Sequence, residues 1–163
     1  VSKQAVIVSV PLMYKGDIKI GDEVMIHHNI FRRWYDQRGN QRNSSQYFRE
    51  DLYFCNIDQI YLYKNNSEWK ALDDRCFVKP IKDTNELSAD IERKHVGILK
   101  IGNSLLETLE ISTGDLIGFK PGREWEFIID DERLYCMKSN NIVIKYEYQG
   151  NEEEYNPSWA RSC

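Results

Sequence analysis

Gly21-Asp22-Glu23-Val24-Met25-Ile26 recurs later in the chain as Gly114-Asp115-Leu116-Ile117-Gly118-Phe119. In both places an Ile stands shortly before the Gly-Asp pair and a strand-like apolar run follows it. Two further blocks repeat in the same order. Upstream, Ala5-Val6-Ile7-Val8-Ser9-Val10 matches Val96-Gly97-Ile98-Leu99-Lys100-Ile101. Downstream, Leu52-Tyr53 followed by Asn56-Ile57-Asp58-Gln59-Ile60 matches Leu134-Tyr135 followed by Lys138-Ser139-Asn140-Asn141-Ile142. Gly-Asp before an apolar pair is common in β proteins, so the common order of the three blocks is what carries the reading. An ordered set of strands that repeats implies a duplicated supersecondary unit, and a small closed β unit suits it because closure removes exposed edges.

The rest of the chain agrees with β structure. Alternation and β-branched residues mark strands at 5–10, 23–27, 47–55 and 59–63, then at 76–81, 96–101, 116–119, 125–129, 134–137 and 142–148. Lys15-Gly16-Asp17, Arg38-Gly39-Asn40, Lys64-Asn65-Asn66, Lys120-Pro121-Gly122 and Ser139-Asn140-Asn141 supply the turns between them. Asp130-Asp131 reads as a tight hairpin. Helical signal is confined to short stretches at 85–94 and 105–109, neither with a long apolar stripe. Strands this short and numerous predict an all-β fold of two tandem barrel lobes, at 1–66 and 67–150, with a tail at 151–163. Val8, Val24, Ile26, Phe54, Ile60, Val78, Ile98, Ile117, Phe119, Ile128, Tyr135 and Ile142 are the expected inward positions.

Length and charge set outer bounds. The 163 residues, 41% hydrophobic and 29% charged, lie well away from the disordered regime. A net charge of -4 gives no global attraction to nucleic acid or anionic membrane. No apolar run is long enough to span a bilayer and the first residues lack a signal-peptide layout, so a cytoplasmic or virion protein is expected. Cys55, Cys76, Cys136 and Cys163 form no CxxC pair; the first three, in strand-like runs, are expected as buried reduced thiols.

The second copy resembles a subunit of the GroES-like co-chaperonin family. Its opening Arg75-Cys76-Phe77-Val78-Lys79-Pro80-Ile81 is similar to the family's first strand. Val96-Gly97-Ile98-Leu99-Lys100-Ile101-Gly102 and Thr113-Gly114-Asp115-Leu116-Ile117-Gly118-Phe119 are similar to the strands after it. The closing hairpin looks like Trp125-Glu126-Phe127-Ile128-Ile129, Arg133-Leu134-Tyr135 and Asn141-Ile142-Val143-Ile144. The resemblance implies partly open, OB-like barrels and a ring-forming protein that caps a GroEL-like chaperonin ring during protein folding, with no cofactor and no catalysis. It also implies a mobile loop that touches the chaperonin. The equivalent here is 82–94, whose large apolar residues, Leu87 and Ile91, are the candidate contacts. They form no consecutive apolar tripeptide, so a loop upstream of Val1 is the better candidate. The first copy has no counterpart of the 75–81 strand. Either a segment upstream of Val1 or a neighbouring subunit is expected to supply it, and a homo-oligomer follows.

Little else in the sequence points to chemistry. His27, His28 and His95 lack metal-site spacing, and the adjacent His27 and His28 are expected on opposite faces of a strand. There is no phosphate loop or nucleophile elbow, and the acidic trios Asp130-Asp131-Glu132 and Glu152-Glu153-Glu154 read as solvated turn and tail. The enlarged loop 29–46 and the strand after it carry Phe31, Trp34, Tyr35, Tyr47 and Phe48 among Arg32, Arg33, Arg38, Arg42 and Arg49. Three readings are open: aromatics covering a barrel end with wet arginines, a protein-docking surface, or a platform for stacking bases. The acidic whole argues against the last. Tyr155 and Trp159 in the tail are candidates for docking on a neighbouring subunit. The alternatives to a co-chaperonin are a structural or assembly protein of a phage or virus that keeps this fold without chaperonin binding, and a nucleic-acid module using 31–49.

Overall fold

The computed structural model describes residues 2–72, 74–83 and 92–162, with side chains described from 4 to 160 within those ranges. It is an all-β structure of antiparallel sheets that divides into two compact units, Val1–Trp69 and Lys70–Cys163.

In the first unit, β1 (Ser2–Val6), β2 (Glu23–His27), β7 (Ile60–Asn65) and β8 (Glu68–Ala71) form a sheet in the order β1-β2-β7-β8. Between β2 and β7 lie two small hairpins, β3 (Arg33–Tyr35) with β4 (Gln41–Asn43) and β5 (Tyr47–Arg49) with β6 (Leu52–Tyr53). Val24, Met25 and Ile26 are all buried, together with Ile18, Ile30, Ile60, Leu62 and Tyr63.

The second unit is a six-stranded sheet in the order β12-β13-β9-β10-β11-β14. Its strands are β9 (Arg75–Lys82), β10 (Glu92–Ile101), β11 (Leu116–Phe119), β12 (Trp125–Ile129), β13 (Glu132–Lys138) and β14 (Ile142–Tyr146). β9 lies between β10 and β13, and is buried from Cys76 to Ile81. Cys76 and Val78 pack with Leu99, Leu106, Ile117, Phe119 and Met137, while Ile81 packs with Val96, Ile98 and Leu116. Each such side chain withdrawn from water contributes on the order of 1.5–3 kcal/mol. A single helical turn, α1 (Ser104–Thr108), is capped by Asn103, whose Oδ1 accepts from the Leu106 amide at 3.0 Å and whose Nδ2 donates to Arg75 O at 2.9 Å.

The two Gly-Asp turns have one geometry. Gly21 and Gly114 have φ of 93° and 97°, a region open to glycine. The Ile7 amide donates to Asp22 O at 2.9 Å and the Leu99 amide to Asp115 O at 3.0 Å. Asp22 Oδ2 accepts from the Lys19 amide and Asp115 Oδ2 from the Ser112 amide, each at 2.8 Å. Beyond the turns, β2 pairs with β7 and β11 with β14 through the same bulge, between Met25 and Ile26 and between Gly118 and Phe119. A 3-10 turn leads into each partner strand, over Ile57–Gln59 and Ser139–Asn141. Ala5 faces Val24 as Gly97 faces Ile117, so Ala5 stands where Gly97 does, one residue from the alignment read in the sequence.

Several expectations are corrected. The first strand ends at Val6 and not Val10, and the 47–55 run is broken into β5 and β6 by Asp51 at φ 60°. β8 has no counterpart in the sequence reading, although Asn66 and Ser67, both at positive φ, make the two-residue turn that feeds it. Residues 92–94 belong to β10, not to a helix or loop. Val8 and Phe54, expected inside, are exposed, and Ile128, Tyr135 and Ile142 are half-buried. Cys55 is exposed as well, whereas burial pushes the Cys76 and Cys136 thiols up to about 12.

Gly97 marks the closest approach in the second sheet. A Cβ there would meet Val78 Cγ1 at 2.5 Å and Lys79 O at 2.6 Å. Gly97→Val is expected to lower the unfolding free energy by about 2–3 kcal/mol through overpacking. A urea midpoint equal to the wild type would show that β9 and β10 leave more room.

Candidate interaction surfaces

The arginine and aromatic residues of the first unit are brought together, but not as one stacking platform. Asp36 organises the β3–β4 hairpin. Its Oδ1 accepts from the Arg38 and Asn40 amides, each at 2.9 Å, and its Oδ2 from Arg42 Nε at 3.0 Å. These bonds, that of the Asn40 backbone foremost, hold its carboxyl below the usual range. Trp34 and Tyr35 stand exposed on this hairpin, with the Arg32 guanidinium 5.5 Å from the Trp34 ring.

A second aromatic group centres on Tyr53. Phe31 meets its ring edge-on at 4.7 Å, Tyr47 does so at 5.6 Å, and Arg33 Nη2 donates to its hydroxyl at 3.5 Å. Phe31, Arg33 and Tyr53, with Gln4 and Asp51, line a cavity of about 550 Å3. Phe48 and Phe54 form a separate exposed pair at 5.2 Å, with Arg49 5.7 Å from the Phe48 ring. Thus Arg42 is bound to Asp36, Arg33 faces Tyr53, and Phe31 and Tyr47 are half-buried. Trp34, Tyr35 and Phe48 are the exposed aromatics, and all five arginines of this stretch are exposed.

His27 and His28 do not oppose each other across a strand. His28 begins the 3-10 turn His28–Phe31, and this swings its ring into a stack with His27 at 4.7 Å. Burial, followed by the neighbouring His28, lowers the His27 pKa. Among the described residues no group of three or more His, Cys, Asp or Glu is placed to hold a metal ion.

In the second unit the tail returns to its own sheet. The Lys82 amide donates to Glu153 O at 2.8 Å and the Tyr155 amide to Pro80 O at 2.8 Å, so the tail pairs with β9. Asn156 Oδ1 accepts from Lys79 Nζ at 2.8 Å and from the Arg133 amide at 2.9 Å. Lys79 is 1% exposed, and desolvation lowers its pKa. Tyr155 is half-buried, and Trp159 places its ring 5.8 Å from the Arg133 guanidinium.

Arg133 is the centre of a polar cluster. Its Nη1 donates to Glu92 Oε2 at 2.6 Å, its Nε to Glu126 Oε2 at 2.8 Å and its Nη2 to the Tyr135 hydroxyl at 2.5 Å. The Tyr135 hydroxyl in turn donates to Glu92 Oε1 at 2.5 Å. Burial, then the bond to Glu92, raises the Tyr135 pKa. This cluster ties β10, β12, β13 and the tail together. Arg133 and Tyr135, two apart on one strand, share a face, which the sequence could have indicated; Glu92 could not have been placed that way. Leu87 and Ile91 lie outside the described residues. No helix among the described residues is long and apolar enough to cross a membrane.

No protein-family model matches this chain, and no curated protein matches it.

Proposed function

We propose that this protein is a co-chaperonin-like, ring-forming partner of a chaperonin that binds and caps without chemistry. The observation that carries the reading is the shared geometry of the two units: the same Gly-Asp turn, the same bulged pairing and the same 3-10 entry. This supports a duplicated unit of the kind the sequence resembles. A second feature agrees with it. The 83–91 segment joins neighbouring antiparallel strands whose ends are fixed, with Lys82 facing Glu92, Lys82 Nζ bound to Glu153 at 3.0 Å and Glu92 held by Arg133. A chaperonin contact carried between these two fixed strand ends is the arrangement the reading requires.

The test is retention on an immobilised chaperonin in the presence of nucleotide, with residues 84–91 replaced by a Gly/Ser linker in a parallel sample. Glu92 stays in place because it belongs to the sheet. Retention of the wild type is expected; loss of the variant assigns the contact to 84–91, and retention of the variant places it elsewhere. Failure of the wild type to bind would end the reading. It would favour instead a viral assembly role, for which the exposed Trp34, Tyr35 and Phe48 beside Arg32 and Arg49 are the supporting surface. Binding of single-stranded DNA that weakens steeply with salt would favour the nucleic-acid alternative.

A further inference from the structure

The cavity of about 550 Å3 beside Tyr53 has a neighbour of about 480 Å3, lined by His28, Asn29, Phe31, Arg32 and Arg33. Phe31 and Arg33 line both, so the two are halves of one recess divided by these side chains. Each half has the volume of a small-molecule site. The backbone around it is fixed. The 3-10 turn His28–Phe31 is anchored by Ile30, which is 1% exposed, and the Ser44 amide donates to Arg32 O at 3.0 Å. His27 Nδ1 accepts from the Asn29 amide at 3.2 Å while its ring stacks on His28.

The halves differ in chemistry. The smaller one is lined by two guanidinium groups and an imidazole, with no carboxylate. Among the described residues neither Arg32 nor Arg33 is in an ion pair, whereas Arg42 is held by Asp36 and Arg133 by Glu92 and Glu126. Guanidinium forks of this kind meet phosphate oxygens through parallel, charge-assisted hydrogen bonds. The larger half offers the Phe31 and Tyr53 rings as apolar walls, with two acceptors beside them. One is the Asp51 carboxylate. The other is Gln4 Oε1, since Gln4 Nε2 already donates to Glu23 at 2.9 Å. Aromatic walls with acceptors at their edge suit a flat ring that carries N–H groups, or sugar hydroxyls.

We infer that this recess binds a nucleoside monophosphate, with its phosphate on the side of His28, Arg32 and Arg33 and its base on the side of Phe31 and Tyr53. Asp51 favours a mononucleotide over a nucleic-acid strand. A strand that continued through the larger half would bring another phosphate beside this carboxylate, and like charges at such range repel. The exposed Trp34, Tyr35 and Phe48, which an open stacking platform would use, line neither half. The site goes beyond the capping role and holds whether or not a chaperonin is bound.

The test is calorimetric titration of the 163-residue chain with adenosine, guanosine, cytidine and uridine 5′-monophosphates, with amide NMR to locate the contact. At least one is expected to bind with a Kd of about 10–500 μM, shifting amides at 4, 28–33 and 51–53. Arg33→Met and, separately, Arg32→Met should each weaken it at least about tenfold while the rest of the amide spectrum stays in place. No binding of any of the four up to about 5 mM overturns the proposal. So does wild-type affinity in both variants, which would put the ligand elsewhere. Inorganic phosphate binding as tightly as the best nucleotide would reduce the recess to an anion site and overturn the part given to the base. A single-stranded oligonucleotide that binds more tightly than every mononucleotide, and weakens steeply with salt, would assign the surface to a strand and overturn the mononucleotide.

Discussion

Phe119→Ala is expected to lower the unfolding free energy by about 3–5 kcal/mol, the range for removing a large aromatic from a core. Phe119 is 6% exposed and packs with Cys76, Val78, Leu99, Leu106, Ile117 and Met137. Its ring also lies 6.0 Å from His95, edge-on, and 6.3 Å from Tyr135. These neighbours come from β9, β10, β11, β13 and α1, strands held by their own ladders, so the space left by the ring has little means of closing. Phe119 also follows the β11 bulge, where the register with β14 shifts. Urea unfolding, with amide exchange of β9 as a local readout, measures the loss. A loss well under about 1 kcal/mol would place the ring at the surface.

Where a strand is bounded by turn residues, its sequence states it. β2, β11 and β12 have the bounds that alternation predicts, and Asp130 and Asp131, at φ 49° and 63°, form the tight turn expected between β12 and β13. Where turn residues are ordinary polar ones, the sequence is silent. Glu50-Asp51 reads as part of an aromatic strand, yet Asp51 takes a positive φ and folds the run back on itself. Periodicity also names a face without saying whether anything covers it. Val8 and Phe54 have the spacing of inward residues, and Cys55 the look of a buried thiol, but all three are exposed.

The interaction residues were legible in kind more than in arrangement. Sequence composition picks out the arginines and aromatics of 31–49, but their partition depends on Asp36 and Tyr53, which fix Arg42 and Arg33 and leave Trp34, Tyr35 and Phe48 outward. The tail aromatics were visible as residues in need of a partner. Tyr155 lies on β9 and Trp159 beside Arg133 of β13, and Asn156 between them, a small polar residue, serves three partners: Lys79, the Arg133 amide and Asp131 O.

The cluster around Arg133 gives the other large expected effect. Arg133→Met keeps the side-chain stem beside Trp159 and removes the charge that faces Glu92, Glu126 and Tyr135. Breaking a fully buried pair costs about 3–5 kcal/mol because the surviving charge loses its compensation. Here the Arg133 and Glu92 side chains keep 14% and 27% of their exposure, so about 2–4 kcal/mol is expected. Adding Glu92→Gln should recover part of the loss, since the stranded carboxylate is then gone, and a double-mutant cycle measures the coupling. Additive losses would mean that the two groups do not interact. Tyr135 adds a pH signature. Its raised pKa keeps the phenol neutral in the folded state while an unfolded tyrosine ionises near about pH 10. Above that pH the folded state binds more protons than the unfolded one, yet each further rise weakens folding, because the bound proton becomes costlier to retain. Stability is therefore whole below about pH 10 and declines as pH rises through the usual tyrosine range. Tyr135→Phe should flatten this alkaline decline while leaving the slope below it unchanged, and an undiminished decline would show that the phenol ionises within the fold.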